Sequence, residues 1–404
     1  MTSMIDSSRR RVLVGALGAA ALAPLSALSF AATSRPGDAR FVFVILRGGL
    51  DGLYAVPAIG DPDFAAARGP LAQYEQAPLP LSGPFALHPN LAQMRAMYGG
   101  GELAVLHAVG LPYRDRSHFD AQQVLESGGV RPYEIGTGWL ARALAPTSTK
   151  SIALSTAVPL VLRGPGVVDT WAPSALSDPG ADLVARLAQM YANDPALATA
   201  LERARALHLG AGMPPEMAGA DTMGEAGKNK RYGNFGVLAQ RAAEFLAQSG
   251  GPQVAVLEIG GWDSHANEAN PNGALANGLR QLDGGLAALR EGLLPSGTWN
   301  RTVVLVATEF GREVAVNGTL GTDHGTGGAA FVLGGAVQGG RVIADWPGLA
   351  KRDRYEGRDL RITTDLRAVI KSVLADHLQV ATSALDSAVF PGSAGSPKLL
   401  LLKA

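Results

Sequence analysis

The stretch FVFVILRGG, Phe41–Gly49, is β-rich, almost continuously apolar and closed by two glycines. A strand with one solvated face alternates apolar and polar residues, so a run that is apolar throughout has both faces covered, as in the centre of a parallel sheet. The same pattern returns along the chain. Leu103–Val109 (LAVLHAV), Val254–Ile259 (VAVLEI) and Thr302–Ala307 (TVVLVA) read as further strands, and another apolar strand follows a glycine-rich loop at Ala329–Leu333. Helical patterns lie between them, at about Leu91–Tyr98 and Thr364–Leu378, and RDRSHFDAQQVLESG looks like a loop opening a helix. Most regular is the stripe Leu275, Leu279, Leu282, Leu286, Leu289 and Leu293, whose spacing of four and three marks one apolar helix face. Alternating strands and helices predict an α/β fold, a three-layer sandwich with a mostly parallel central sheet.

The formal net charge is zero and no basic face recommends nucleic acid as a partner. With no cysteine, thiolate ligands and disulfides are excluded, so any metal must be held by oxygen and imidazole nitrogen. The amino terminus, SSRRRVLVGALGAAALAPLSALSFAA, has a charged front, a weakly apolar run and small residues at its end, and reads as a signal peptide over 1–31 cleaved near Ala31. Ser8-Arg9-Arg10-Arg11-Val12-Leu13 fits the twin-arginine pattern, which implies the twin-arginine export machinery as a partner and a periplasmic or otherwise exported protein. Val12–Ala32 is about long enough to span a bilayer, but Pro24 and the many Ala and Gly weaken that alternative, so no stable membrane span is expected after cleavage. The remainder reads as a single domain over 40–395 with a helical, loop-rich insertion at about 140–250. Within it Met213–Asn234 is polar and glycine-rich, as in a mobile surface connection.

In open α/β sheets ligands gather beyond the carboxyl ends of strands, and the polar clusters of this sequence fall there. Asp51 follows the first strand, Ser117-His118 the second, Asp263 and His265 the third, Glu309 the fourth, and Asp323-His324 sit in a loop of five glycines. This carboxylate and imidazole set suits Zn²⁺ or Mn²⁺, or Mg²⁺ or Ca²⁺ if fewer histidines bind. Each residue has a plainer reading. Asp51 caps a turn; Ser117 and Asp120 form a helix capping box; His118 is a hydrogen-bonded core histidine; Asp263 belongs to a polar turn. Glu309 pairs with Arg312, and Asp323 and His324 satisfy loop amides. Asp263 and His265, two apart on an extended segment, share one face. His88, His107, His208 and His377 are solitary and read mostly as structural.

The series RGGLDGLYAVP, LAVLHAVGLPYRDRSHFDAQ, GTGWLAR, LEIGGWDSHAN, ATEFGREVAVNGTLGTDHGTGGAAFVLGG and TTDLRAVIKSVL resembles an exported bacterial family known only as a domain of unknown function. That family in turn resembles a branch of the alkaline phosphatase/sulfatase superfamily. The resemblance implies an alkaline phosphatase-like fold with one or two metals at strand ends, and hydrolysis of small-molecule phosphate or sulfate esters. It implies Asp51 as a first-strand ligand, Ser117 as nucleophile, Asp263 and His265 as ligands of a second metal, and His324 as the late histidine ligand. Arg116 or Arg47 would neutralise developing charge. Phe310 stands where the superfamily carries a ligating histidine, and Asp263 and His265 are closer together than its usual spacing. His118 or Asp323 would then complete the ligands. The competing expectation is a non-catalytic periplasmic metal-binding or scaffold protein that retains the fold.

Overall fold

Phe41, Phe43 and Ile45 enter one apolar core, while the intervening Val42, Val44 and Leu46 enter another. A strand that feeds two cores has layers on both sides, and this places the first strand at the centre of the molecule. A computed structural model describes residues 39–173, 179–210 and 226–403. The signal segment 1–31 and residues 213–225 of the expected mobile connection lie outside the described residues.

The strands are β1 (Arg40–Arg47), β2 (Leu79–Pro80), β3 (Ala86–Leu87), β4 (Leu103–Gly110), β5 (Ser151–Ala153), β6 (Val168–Thr170), β7 (Val254–Gly260), β8 (Thr302–Thr308), β9 (Gly328–Leu333), β10 (Arg341–Ile343) and β11 (Thr364–Asp365). β2 and β3 form a separate two-stranded sheet, and the rest form one sheet in the order β10-β4-β9-β8-β1-β7-β5-β6, with β11 beside β4. β1 pairs in parallel with β7 on one side and β8 on the other, Phe41 standing opposite Val254 and Val303. β9 alone runs antiparallel, between β4 and β8. The fold is thus a three-layer α/β sandwich with a mostly parallel sheet.

One outer layer contains the helix Ala274–Leu293, whose six leucines of the stripe are all at most 1 % exposed. Burying each contributes about 1.5–3 kcal/mol, which ties this helix firmly to its core. Beside it lies the helix Ala226–Ala247, which corrects the sequence reading: Ala226–Asn234 is helical rather than a loose connection. Once the packed half of a helix is nucleated, each added residue costs little, so a polar approach segment extends it. The opposite layer includes the helices His118–Ser127, Trp139–Leu144 and Leu366–His377.

Asp283 of the leucine-striped helix accepts hydrogen bonds from the backbone N–H groups of Gln93 (3.1 Å) and Met94 (2.8 Å), in the first turn of the helix Ala92–Gly99. It caps a neighbouring helix from a distance. Burial pushes its carboxyl up to about 6 against the pull of those two amides. A raised acid stabilises the fold below its unfolded value and loses that contribution as pH rises through the folded one. Asp283→Ala therefore lowers the unfolding free energy by about 1–3 kcal/mol through two orphaned amides. Urea unfolding also loses its dependence on this group between pH 4 and 6, and an unchanged midpoint would refute the capping role.

Candidate metal centre

The carboxyl ends of β1, β4, β7 and β8 lie at one edge of the sheet. Because β9 is antiparallel, its first residue, Gly328, stands opposite Val109 near the end of β4, so the loop that precedes it reaches the same edge. Four connections from distant parts of the chain therefore meet, the one from β8 to β9 carrying both Glu309 and His324.

Gly48 and the segment after β7 show how closely they meet. Gly48 has φ +123°, and a Cβ there would lie 2.7 Å from the backbone nitrogen of Asp263. The glycines of GGWDSH have a different reason: Gly261 turns the chain at φ +90°, and neither it nor Gly260 has an atom within 4 Å of an added Cβ. Trp262 is buried, donates from Nε1 to the Ile259 carbonyl (2.9 Å), and packs on Gly278 of the leucine-striped helix. It anchors the loop and leaves Asp263 and His265 beyond it.

Three histidines share one arrangement. His118 Nδ1 faces Glu309 Oε1 at 2.7 Å, His324 Nδ1 faces the Arg116 carbonyl at 3.0 Å, and His265 Nδ1 faces Asp323 Oδ1 at 3.2 Å. Each acceptor fixes the proton on Nδ1 and leaves the Nε2 lone pair facing inward. The Nε2 atoms of His118 and His265 lie 3.0 and 3.1 Å from that of His324, which is 3.1 Å from Asp263 Oδ1. His118 Nε2 is 3.4 Å from Asp263 Oδ2, and His265 Nε2 is 3.0 Å from Oδ1. Lone pairs converging on a carboxylate repel unless a cation lies among them. Ligand atoms bonded at about 2.0–2.1 Å in a tetrahedron stand about 3.3 Å apart, close to these separations. His118, Asp263 and His324 form the tight trio; His265 touches two of its members. The donor set fits a divalent ion of borderline softness.

The remaining residues support this trio. Glu309 is buried and fully engaged: Oε1 accepts from Gly48 N (2.8 Å), His118 and Gln122 Nε2 (3.1 Å), and Oε2 from the Thr308 hydroxyl (2.9 Å). It orients a ligand in the manner of a carboxylate behind a metal-bound histidine. Burial opposes its ionisation, but those donors, His118 first, bring its carboxyl below the usual value. The same bond raises His118, while burial lowers His324. Burial also works against the Asp263 anion, yet Arg312, with His265 and His118, holds it down to about 2.

Several sequence expectations change here. Asp51 stands apart from the trio: Oδ1 caps the short helix Gly52–Ala55 by accepting from Leu53 and Tyr54 N, and Oδ2 pairs with the buried Arg68. Arg312 pairs with Asp263 (2.6 Å), not with Glu309. Arg47 is held by Glu258 and Glu126, and Arg116 by Glu356 and Asp359, so both guanidinium groups are neutralised within the fold. Ser117 is the N-cap residue of its helix, but its side chain makes no capping bond. Asp120 instead accepts from the hydroxyl of Tyr113 (3.2 Å). Phe310 packs its ring on His118 and His324, at 4.6 and 5.1 Å between centroids. Asp323 orients His265 and accepts from Asn317 Nδ2 (3.1 Å). His107 is buried in β4 against the Val56 carbonyl, a structural role.

A family model described as "Protein of unknown function (DUF1501)" matches residues 98–386. Comparison with curated proteins gives no match. Among solved structures, a phosphonate monoester hydrolase of Agrobacterium radiobacter is 11 % identical, with 85 % of this chain and 74 % of that one covered and a TM-score of 0.42. The PsFucS1 sulfatase from Pseudoalteromonas sp. is 12 % identical, with 92 % and 72 % covered and a TM-score of 0.40. The C-terminal periplasmic domain of EcEptC from Escherichia coli, solved with Zn, is 10 % identical, with 90 % of each chain covered and a TM-score of 0.40.

Proposed function

The chain belongs to the DUF1501 family, whose model spans most of it, and from that premise we propose that it is an exported, metal-dependent hydrolase of phosphate or sulfate esters. One observation carries the metal part: three imidazole Nε2 atoms, each with its Nδ1 tied to an acceptor, close on the Asp263 carboxylate. His118, Asp263 and His324 would hold the ion, Zn²⁺ or Mn²⁺ by donor type, with His265 beside them. Bound there, a divalent ion supplies Lewis-acid polarisation of an ester oxygen.

Ser117, directly before His118 and uncapped, is the proposed nucleophile. Its oxygen would bond to phosphorus or sulfur as the bond to the alcohol breaks, and its proton would pass through solvent to the departing alcohol. The N-terminus of the ten-residue helix His118–Ser127 adds a partial positive field. Export rests on the twin-arginine pattern at residues 1–31; among the described residues no helix is long and apolar enough to cross a membrane. We also read about 140–250 as an insertion into the domain.

A second reading, a non-catalytic metal-binding or scaffold protein, is favoured by the pairing of both Arg47 and Arg116 and by Phe310 against the histidines. Metal analysis of protein purified after export, with ester turnover for wild type and Ser117→Ala, separates the two. The expected result is one metal per chain and turnover that falls about a thousandfold in the variant. Stoichiometric metal without turnover on a broad ester panel leaves the binding protein, and metal-free protein with its ligands intact sinks both.

A further inference from the structure

His324 is held by something unusual for a ligand: a backbone carbonyl whose residue lies in the left-handed region. Arg116 has φ +59°, and its oxygen accepts from His324 Nδ1 at 3.0 Å. A non-glycine residue in that conformation is strained and persists only where its surroundings enforce it. The Arg116 side chain shows what enforces it here. Nε donates to Asp359 Oδ2 at 2.8 Å and Nη2 to Glu356 Oε2 at 2.6 Å. Asp359 is fully buried, and it is fixed in turn: its other oxygen accepts from Arg358 at 3.1 Å, and its backbone bridges to Glu313 and Tyr355. Glu356, the other anchor, also has a positive φ, +54°.

We propose that the Arg116–Asp359 pair is a positioning device for His324: it clamps the left-handed turn before the helix His118–Ser127, aims the Arg116 carbonyl, and so sets the tautomer of the imidazole. The same turn leads directly into Ser117 and His118, so one clamp fixes both sides of the tight trio. This assigns Arg116 a role distinct from direct charge neutralisation at an ester. In bearing on metal affinity it rests on the metal-centre reading above; in bearing on the tautomer it does not.

The test uses the full-length metal-free protein, with ¹⁵N-labelled histidine followed by NMR for wild type, Arg116→Met, Arg116→Lys and Asp359→Asn. Wild type shows His324 with the proton on Nδ1 and slow exchange. Arg116→Met and Asp359→Asn speed exchange at Nδ1 about tenfold and mix the tautomers, and Arg116→Lys recovers part of the wild-type signal. Because Arg116 is partly exposed, Arg116→Met keeps the test alive if the Asp359 variant fails to fold. Zn²⁺ titration of the same proteins shows affinity lower by about 10–100-fold in the two disrupting variants, as for other partners behind a ligand. Unchanged tautomer and exchange in Arg116→Met overturns the clamp whatever the metal data show. Wild type without Zn²⁺ affinity overturns the metal centre and leaves the NMR result to decide the clamp.

Discussion

Asp263→Ala abolishes stoichiometric Zn²⁺ binding and, in the metal-free protein, lowers the unfolding free energy by about 1–3 kcal/mol. The two effects have separate origins. Asp263 supplies the only carboxylate of the tight trio, so its loss leaves the inward-facing Nε2 atoms with no anionic co-donor. It also accepts from Arg312, whose side chain is wholly buried. Removing one member of a fully buried pair costs about 3–5 kcal/mol, a figure reduced here because the Asp263 side chain is 42 % exposed and Arg312 keeps bonds to Thr322. Asp263→Asn retains the shape and one acceptor for Arg312 while losing the charge. It is expected to recover most of the stability and little of the metal affinity. Calorimetric Zn²⁺ titration and urea unfolding of both variants decide this, and wild-type affinity in Asp263→Ala would end the metal-centre interpretation.

Arg68→Met is the substitution with the largest expected loss of stability, about 3–5 kcal/mol at pH 7. Arg68 has no exposed surface and lies against Asp51, itself 2 % exposed, with the equally buried Glu268 near both. Its second nitrogen donates to the Val314 carbonyl at 3.0 Å. Methionine fills the volume but leaves two buried carboxylates sharing no cation. Burial first, and then Asp51, holds Glu268 well above its ordinary value. Such a group stabilises the fold when protonated and loses that contribution as pH rises, so the deficit in Arg68→Met must be larger at pH 8 than at pH 5. Urea midpoints at the two pH values measure it; a deficit that grows toward acid would mean that the carboxylates are not what Arg68 neutralises.

The sheet is legible because burial on both faces makes β1, β4, β7 and β8 apolar along most of their length. The helix stripe from Leu275 to Leu293 was legible for the same reason. What stayed hidden was direction and partnership. AAFVL looks alike in parallel and antiparallel strands, so the reversed run of β9 had no sequence signal. Glu309 and Asp51 each follow an apolar strand, yet one orients a histidine and the other caps a helix against Arg68, and only the distant residues His118 and Arg68 distinguish them. Separation along the chain favours a local Glu309–Arg312 pair, whereas the fold brings Asp263 to Arg312 from 49 residues away. Asp263, His265 and His324 were singled out by position, and the structure brings them together with His118. Nothing in the local sequence announced the Arg116 turn, since arginine carries no preference for a positive φ.

The site is drawn from segments very far apart in the chain: His118 meets Glu309 across 191 residues and His324 across 206. Closing loops of that size is an entropic cost that must be met before any contact rewards it. A nascent chain that has reached residue 300 already contains β1, β4 and β7, but neither Glu309 nor His324. An ion held as we propose would therefore mark completion, available to a finished molecule and to none of its precursors.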